Sequence, residues 1–370
     1  MRKFIVTLMA SLLSCSAAFA FWPEATDSSL EIGVGYRQDR LEWKTSSNFG
    51  SSSYGHYGLP LKLRSHLKWR DLQIWQIEGR GKYVTCDNIY LRANGDYGWI
   101  THGKNTDSDF VTLNDYSYNN NSELEFAHSK SKARGHVYDA KLAVGYQFKM
   151  CDDSFAIAPL VGYSWHGQHI EDRHLKQNFY VNDDTIVMDE IEAASVRSRS
   201  SRSSSDYSSA SFSDFSSSSD SYSYGSHHGK HSRYHTRWNG PFIGFDFDYR
   251  FGCGCEADWE VFGGYEFHWA TYHAKGRWHL RSDLFDGFHH RAKNAYGHVF
   301  DIGVKWDFCE CWTLAVKGEF QWWWAHRGRD RARIAEGSIG NVHTDCFLSI
   351  PLRHIKWESA AVSVDLGMVF

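Results

Sequence analysis

The sequence predicts an all-β protein, a transmembrane antiparallel β-barrel of about ten strands preceded by an N-terminal signal peptide. Three observations support this fold class: an export signal opens the chain, apolar and polar residues alternate with a period of two, and the chain ends on Phe370 within such an alternation. Aromatic residues make up 16% of the chain and include 16 Trp. Aromatic side chains favour the interface between bilayer and water, so this content fits a barrel with two aromatic girdles.

Residues 1–20 have the features of a cleaved signal peptide. A basic start and an apolar stretch precede Ala18-Phe19-Ala20, which supplies the small residues of a signal-peptidase site. The mature barrel domain is therefore predicted to span residues 21–370. Lipidation of Cys15 is the alternative, because the residues before it resemble a lipobox.

The hydropathy of the mature chain argues against membrane-spanning helices. After residue 20 no apolar run approaches the roughly 20 residues that such a helix needs, and the mean hydropathy is −0.51. A barrel is compatible with this value, because its strands place only alternate side chains in lipid. The net charge of −4 is small, and no basic stripe indicates nucleic-acid binding.

Ten segments show the period-two alternation and define the predicted strands. They cover residues 29–43, 61–84, 89–102, 134–149, 154–168, 238–252, 259–273, 295–308, 312–325 and 357–370. Short turns alternate with long loops between them, and an even strand number places both termini on the periplasmic side of an outer-membrane barrel. The last strand ends like the assembly signal of such barrels. A soluble β-sandwich is the alternative fold, because its strands also alternate.

The longest connection, about residues 169–237, contains a Ser-rich stretch at residues 195–234. This composition cannot bury enough apolar area to fold, so we expect a disordered extracellular loop within the barrel domain. A group of His lies in or beside it: His227, His228, His231 and His235. No carboxylate or Cys joins them at a ligand-like spacing, so we predict a solvated loop and no metal site or other cofactor.

Six cysteines fall in the four predicted short turns: Cys86, Cys151, Cys253, Cys255, Cys309 and Cys311. The periplasm is oxidising, so these thiols are predicted to form disulfide bonds. The two Cys-X-Cys turns lie two strands apart, about 10 Å at the usual strand spacing. Bonds to neighbouring envelope proteins are the alternative use. Cys346, in the last predicted external loop, is either free or an intermolecular partner.

The inward faces of the predicted strands carry charges of both signs. These residues are Glu78, Arg80, Lys82, Arg92, Asp96, Asp139, Lys141, Asp246, Asp248, Arg250, Glu266, Asp301, Lys305, Lys317, Glu319 and Asp365. A barrel near ten strands is barely wider than its own side chains, so we expect these charges to form ion pairs that fill the lumen. A general diffusion pore needs about 16 strands, which leaves a small porin as a minor hypothesis.

Three stretches resemble a known family. They are Ser65-His66-Leu67-Lys68-Trp69 with the later Gly98-Trp99 and Asp107-Ser108-Asp109, then Arg237-Trp238-Asn239-Gly240-Pro241-Phe242-Ile243-Gly244 leading to Trp269, and the hairpin from Lys293 to Phe320. On these motifs the chain resembles the omptins, ten-stranded outer-membrane proteases, and more closely the omptin-like outer-membrane proteins of chlamydia-like bacteria. The similarity is scattered over most of the mature chain.

The resemblance implies a peptidase site made of two facing pairs, a carboxylate pair and an Asp–His pair that activate a water. Asp107 and Asp109 match the carboxylate pair in type and spacing. The second pair departs from the family pattern, because Arg277 stands where a carboxylate should precede His279. His289 and His290 follow Asp286 at a different spacing. If the protein is an enzyme, the candidates are therefore Asp107, Asp109 and a displaced His279.

The resemblance also implies contact with lipid A on the outer wall. Arg237 and Tyr163 match positions of that motif, whereas Trp165 and Gly167 stand where the family has a Glu and an Arg. Arg237 on a lipid phosphate predicts a partial lipopolysaccharide site. The alternative is an Arg whose side chain extends towards the headgroups without a specific ligand.

The sequence as a whole predicts an omptin-like outer-membrane barrel with a structural or surface-interaction role and an incomplete peptidase site. The alternatives are an endopeptidase that uses Asp107 and Asp109 with a displaced His, and a small porin. Outer-membrane lipid or lipopolysaccharide and disulfide-linked envelope proteins are the predicted partners, with long loops outside the cell and Cys-bearing turns in the periplasm.

Overall fold

The structure of the protein is a computed structural model that describes residues 27–49, 61–114, 121–151, 154–179, 223–224, 232–251, 258–277, 284–309, 311–334 and 346–370. The predicted signal peptide and Cys15 lie outside the described residues. So does most of the Ser-rich stretch, apart from residues 223–224 and 232–234, which are in strands.

The described residues form twelve β-strands. They are β1 (Ser29–Phe49), β2 (Leu61–Val84), β3 (Ile89–Asn114), β4 (Asn121–Tyr146), β5 (Phe148–Met150), β6 (Phe155–Phe179), β7 (Ser223–Tyr224), β8 (Ser232–Phe251), β9 (Asp258–Arg277), β10 (Leu284–Cys309), β11 (Trp312–Ile334) and β12 (Cys346–Val369). The short β5 continues the line of β4 after a break at Gln147, and β7 pairs with β6. No helix among the described residues is long and apolar enough to cross a membrane.

The ten long strands of the described chain form one closed antiparallel barrel. Each strand pairs with its neighbour in the sequence, and β1 also pairs with β12. The pairing of β4 with β6, for example at Val144 opposite Val161, completes the ring of ten strands. The prediction of a ten-stranded antiparallel barrel is confirmed, and the soluble sandwich was wrong.

The lower part of the barrel, which contains the short turns and the C-terminus, has an apolar outer surface. On β12 the exposed fractions of Val362, Val364 and Leu366 are 51%, 47% and 49%. Two aromatic girdles border this band, as the Trp content predicted. The upper girdle contains Trp75, Trp99, Trp165, Trp269 and Trp322, and the lower girdle contains Phe251, Trp259, Trp306, Trp312 and Phe370.

Charged side chains fill the lumen at the level of this band, as expected from the inward charges. Arg92 lies between Asp246, at 2.5 Å, and Glu266, which also binds Lys141 at 3.3 Å. Nearer the lower end, Lys305 lies 2.9 Å from Glu31. A buried charge is tolerated only with such partners, because burial without them costs several kcal/mol per ion.

The strands extend well above the upper girdle, and there the pattern is reversed. Apolar side chains face the lumen and charged side chains face outward. The upper lumen holds a buried core that includes Leu41, Trp69, Trp238, Trp323 and Trp357, each with 0% exposure. The predicted strands were too short at this end, because the apolar residues that continue them lie on the opposite face of the sheet.

Bulges also interrupt the alternation just above the girdle. The register shifts between Arg70 and Gln73 on β2, between Ile100 and Lys104 on β3, and between Ala292 and Ala295 on β10. A bulge inserts an extra residue and so changes which residues face inward. The strict period-two alternation of each lipid-facing segment therefore ends near the girdle.

The described cysteines do not form the predicted disulfide bonds. Cys86, Cys151 and Cys311 are free and exposed in turns at the lower end. Neighbouring turns lie two strands, about 10 Å, apart, whereas the Cα atoms of a disulfide lie within about 7 Å. The prediction was therefore wrong for bonds among these three. Cys253, Cys255 and the side chains of Cys309 and Cys346 lie outside what the structure describes.

We expect Arg92→Ala to destabilise the barrel by about 3–5 kcal/mol, because it leaves the buried carboxylates of Asp246 and Glu266 without their partner. Urea unfolding of the refolded protein in detergent micelles measures the change in the free energy of unfolding. Lys149→Ala, at an exposed position of β5, is the control and should change it by less than about 0.5 kcal/mol. A loss below about 1 kcal/mol in Arg92→Ala would contradict the role of this ion-pair network.

Candidate functional site

The two predicted catalytic carboxylates lie on the upper part of β3. Asp107 is opposite Leu67 of β2 and Ser129 of β4, and Asp109 is opposite Ser65 and Ala127. Both follow the inward-facing Asn105 at intervals of two, so they share the lumen side of the strand. Each is half-buried and has an interaction partner. The structure thus places the pair on one face.

The proposed partner, His279, lies outside the described residues, so its position relative to Asp107 is not tested. His273, six residues earlier, lies opposite Arg237 and Arg291 on the outer side of the barrel wall. Burial and these two Arg lower the pKa of His273. It therefore belongs to a basic outer surface and not to a lumen site.

An imidazole with a carboxyl neighbour does occur in the upper lumen, at a position that sequence reasoning did not pair. His290 of β10 lies opposite Asp330 of β11, with 3.5 Å between its Nε2 and the Asp330 Oδ1. Neither of these two atoms has a hydrogen-bond partner. Tyr234 Oη lies 2.9 Å from His290 Nδ1 and 2.6 Å from the hydroxyl of Tyr272. The strand register brings this cluster together.

The His290–Asp330 contact is not poised for acid–base catalysis. Burial, followed by the neighbouring His289, lowers the pKa of His290 to about 3. Burial raises the pKa of Asp330 to about 7. An Asp–His pair that activates water needs an ionised carboxylate hydrogen-bonded to the imidazole. Here the imidazole is neutral, and the carboxyl holds much of its proton at neutral pH.

A second buried carboxyl, Asp172 of β6, has two donors. Trp69 Nε1 donates to one oxygen at 3.1 Å, and Asn105 Nδ2 donates to the other at 2.8 Å. Burial nevertheless raises the pKa of Asp172 to about 7. The spacing of residues does not reveal this site, because the burial of Asp172 depends on the extension of β6 above the girdle.

The two predicted lipid-binding residues are both exposed on the outer wall, but they are not in contact. Arg237 lies opposite Gly167, and Tyr163 lies opposite Pro241. The register separates them by four residues, roughly 13 Å along the strands. The hydroxyl of Tyr163 accepts a hydrogen bond from Asn239 Nδ2 at 3.1 Å.

His235, the last of the four His assigned to the solvated loop, lies on β8. Its Nδ1 is 2.7 Å from Nδ1 of His169 on the outer wall. Burial and the neighbouring His169 and His136 lower the pKa of His235 to about 4. The other three His lie outside the described residues.

We expect Asp172→Asn to reduce the pH dependence of stability. An unfolded Asp titrates near pH 3.9, so the folded chain holds an extra proton up to about pH 7, and the free energy of unfolding falls as the pH rises through this window. About three pKa units correspond to on the order of 4 kcal/mol. Urea unfolding in micelles at pH 4.5 and pH 7.5 should show a smaller fall in the variant than in the wild type. Equal falls would refute the buried-acid assignment.

Comparisons with known proteins agree with this architecture. The model of the Protochlamydia outer membrane protein family matches residues 31–370. The outer membrane protease OmpT from Escherichia coli has a similar structure, with a TM-score of 0.63, 12% identity, and coverage of 95% of this chain and 99% of that one. At this identity the similarity shows the fold alone.

Other solved barrels are less similar. The outer membrane protein OprG from Pseudomonas aeruginosa has a TM-score of 0.28 and 9% identity, with coverage of 94% of this chain and 97% of that one. No curated protein sequence matches the chain. The family model covers nearly the whole barrel, and outer-membrane localisation follows from it. This chain therefore belongs to the Protochlamydia outer membrane protein family.

Proposed function

We propose that the protein has a structural or surface-interaction role in the outer membrane and lacks a working peptidase site. The main support is the burial of His290, whose imidazole has Asp330 as its carboxyl neighbour in the upper lumen. His290 is 1% exposed, and its ring packs against Trp43, Tyr234 and Phe288 with centroids 4.7, 5.8 and 4.9 Å away. A hydrolytic water must reach its base, and these rings leave no access to His290.

In this proposal the upper end of the barrel faces outside the cell. The connections at that end include the long segment between β6 and β8, whereas the lower end has short turns and the C-terminus. Outer-membrane barrels place long loops outside and short turns in the periplasm. The exposed thiols of Cys86, Cys151 and Cys311 would then be available to other envelope proteins in an oxidising compartment.

The outer wall near the upper girdle is the proposed contact with outer-membrane lipid. Tyr163 lies beside Trp165 of the girdle, with ring centroids 4.7 Å apart. Arg237 lies four residues, roughly 13 Å, higher along the wall on β8, at a level where its guanidinium can bind a phosphate of lipopolysaccharide. Because the two side chains are not in contact, we propose a headgroup contact at Arg237 with Tyr163 as an interfacial anchor.

The peptidase alternative is tested by incubating the refolded protein and lipopolysaccharide with a basic peptide. We expect no cleavage above the rate measured without the protein, because His290 is buried and its neighbour Asp330 holds much of its proton at neutral pH. Mass spectrometry of the peptide is the measurement. Cleavage that is lost in both Asp107→Ala and His279→Ala, but retained in His290→Ala, would overturn the proposal and establish an endopeptidase with a displaced His.

A narrow channel is the second candidate, and polar atoms of the lower lumen favour it. Several such atoms among the described residues are buried without a hydrogen-bond partner, including Gln76 Oε1, Arg92 Nε, Asn94 Oδ1 and Asp301 Oδ2. Buried polar atoms are ordinarily satisfied by protein or by water. We infer that the lower lumen holds water, and that the stacked rings of Trp323 and Trp357, 5.6 Å apart, would act as the gate.

Single-channel recordings in planar bilayers separate the two candidates. The surface-interaction role predicts a silent bilayer with the wild-type protein, because the aromatic layer closes the lumen. Conductance steps that grow in Trp323→Ala, which faces inward, and stay unchanged in the adjacent outward-facing Trp324→Ala would establish the channel instead. Trp324 is the matched control, since its ring lies on the other side of the wall.

A further inference from the structure

The upper outer wall carries a basic groove between β8 and β11, with a volume of about 1060 Å³. Seven Lys and Arg side chains line it, among them Lys275, Arg291, Arg327, Arg329 and Arg331, together with several His. No carboxylate of the described residues contributes to its lining. The volume is at the upper end of the range for small-molecule sites, so it exceeds what a single phosphate or sulfate ion would fill.

The cations of the groove lack partners among the described residues. None of the seven lies within 4.0 Å of a described carboxylate. Elsewhere on the same outer wall, Arg173 and Arg233 both lie near Glu171, at 3.0 and 3.7 Å. The positive charges of Arg291 and Arg237 also contribute, after burial, to the lowered pKa of His273. Such uncompensated charge attracts anions.

The backbone of β11 is distorted in a way that builds this groove. Arg327 has a φ of 58°, in the left-handed region that non-Gly residues rarely adopt. The outward face of β11 changes at this residue, from Trp322 and Trp324 below to Arg327, Arg329 and Arg331 above. Without this irregularity, Arg329 and Arg331 would point into the lumen. Strained positions of this kind concentrate at functional sites.

The upper part of the groove stands above the level of phospholipid headgroups. Arg329 and Arg331 follow the interfacial Trp324 by five and seven residues. At about 3.3 Å per residue and a strand tilt of about 40°, they lie roughly 13 and 18 Å above it. The headgroup region adds only roughly 5–8 Å to each side of the hydrocarbon core. A ligand of Arg329 and Arg331 therefore lies beyond the bilayer surface, whereas Arg237, at the lower edge of the groove, is the residue proposed above to contact lipid headgroups.

We infer that the basic groove binds a soluble sulfated or phosphorylated polysaccharide in an extended conformation. Alternate Arg residues on one strand lie about 6.6 Å apart, so Arg327, Arg329 and Arg331 form a row that matches repeated anions along a chain. Guanidinium groups bind the oxygens of phosphate in pairs, and sulfate offers the same tetrahedral geometry. This inference rests on the surface-interaction role proposed above, for which it names the class of partner.

The test uses the full mature protein in nanodiscs of zwitterionic phosphatidylcholine, with a short labelled dextran sulfate as the probe and neutral dextran as its control. Fluorescence anisotropy measures binding. The wild type should bind dextran sulfate, more weakly as salt is added, and should not bind neutral dextran. The variant Arg327→Gln/Arg329→Gln/Arg331→Gln should bind about 10- to 100-fold more weakly, because it loses three charged contacts.

A matched control removes three exposed cations from the opposite wall, in Arg70→Gln/Lys104→Gln/Lys132→Gln. Its affinity should stay within about threefold of the wild type, since screening limits distant charges. Equal losses in both triple variants, or no binding of dextran sulfate by the wild type, would overturn the inference. Binding of the wild-type protein to vesicles of anionic phospholipid alone would also overturn the inference, because it would assign the groove to lipid headgroups. These results would leave the proposed surface-interaction role intact, whereas cleavage of the basic peptide in the assay described above would refute that role.

Discussion

The structure depends on one constraint: each long strand passes from lipid into water, while its inner face stays inside a narrow barrel. Beside lipid the outer face must be apolar, and the charges are confined to the lumen, where ion pairs satisfy them. Above the girdle the outer face meets water, so charged residues face outward and the lumen becomes an aromatic and aliphatic core. A barrel of ten strands is narrow enough for its own side chains to fill both regions.

The strands meet this constraint in more than one way. On β2 the apolar residues follow one another at intervals of two on both sides of the bulge near Asp71. Above the bulge Leu67 and Trp69 face the lumen, and below it Trp75 and Ile77 face lipid. On β8 no register shift is seen, and the sequence itself changes, so that Trp238 faces inward whereas Ile243 faces lipid. On β11 the left-handed backbone of Arg327 changes the face without a register shift against either neighbouring strand, and this change also builds the basic groove.

Much of the lower barrel could be predicted from the sequence, because one rule, an apolar residue at every second position, holds along each lipid-facing segment. The lengths of the strands could not, since the upper parts follow the opposite rule and are interrupted by bulges. Asp107 and Asp109 needed only their spacing to be placed on one face. The contact of His290 with Asp330 depends on the register of β10 against β11, and the exposure of Arg329 depends on the φ of Arg327. Neither can be read from spacing.

These features give the two ends of the barrel different chemistry. The lower lumen is polar and ion-paired, and the upper lumen is closed by aromatic rings that also bury His290 and Asp172. What the protein offers to its surroundings above the membrane is therefore its outer wall and its loops. A fold similar to that of an outer-membrane protease is here combined with an upper core that buries His290.

The exchange of environments along a single strand can be measured directly with nitroxide labels on β11. Val316→Cys and Arg329→Cys, each in a background with the native cysteines changed to Ser, place one label in the apolar band and one above it. In lipid bilayers the label at position 316 should be accessible to oxygen and protected from a water-soluble nickel complex, and the label at position 329 should show the reverse. Equal accessibility to the nickel complex at both positions would contradict the account.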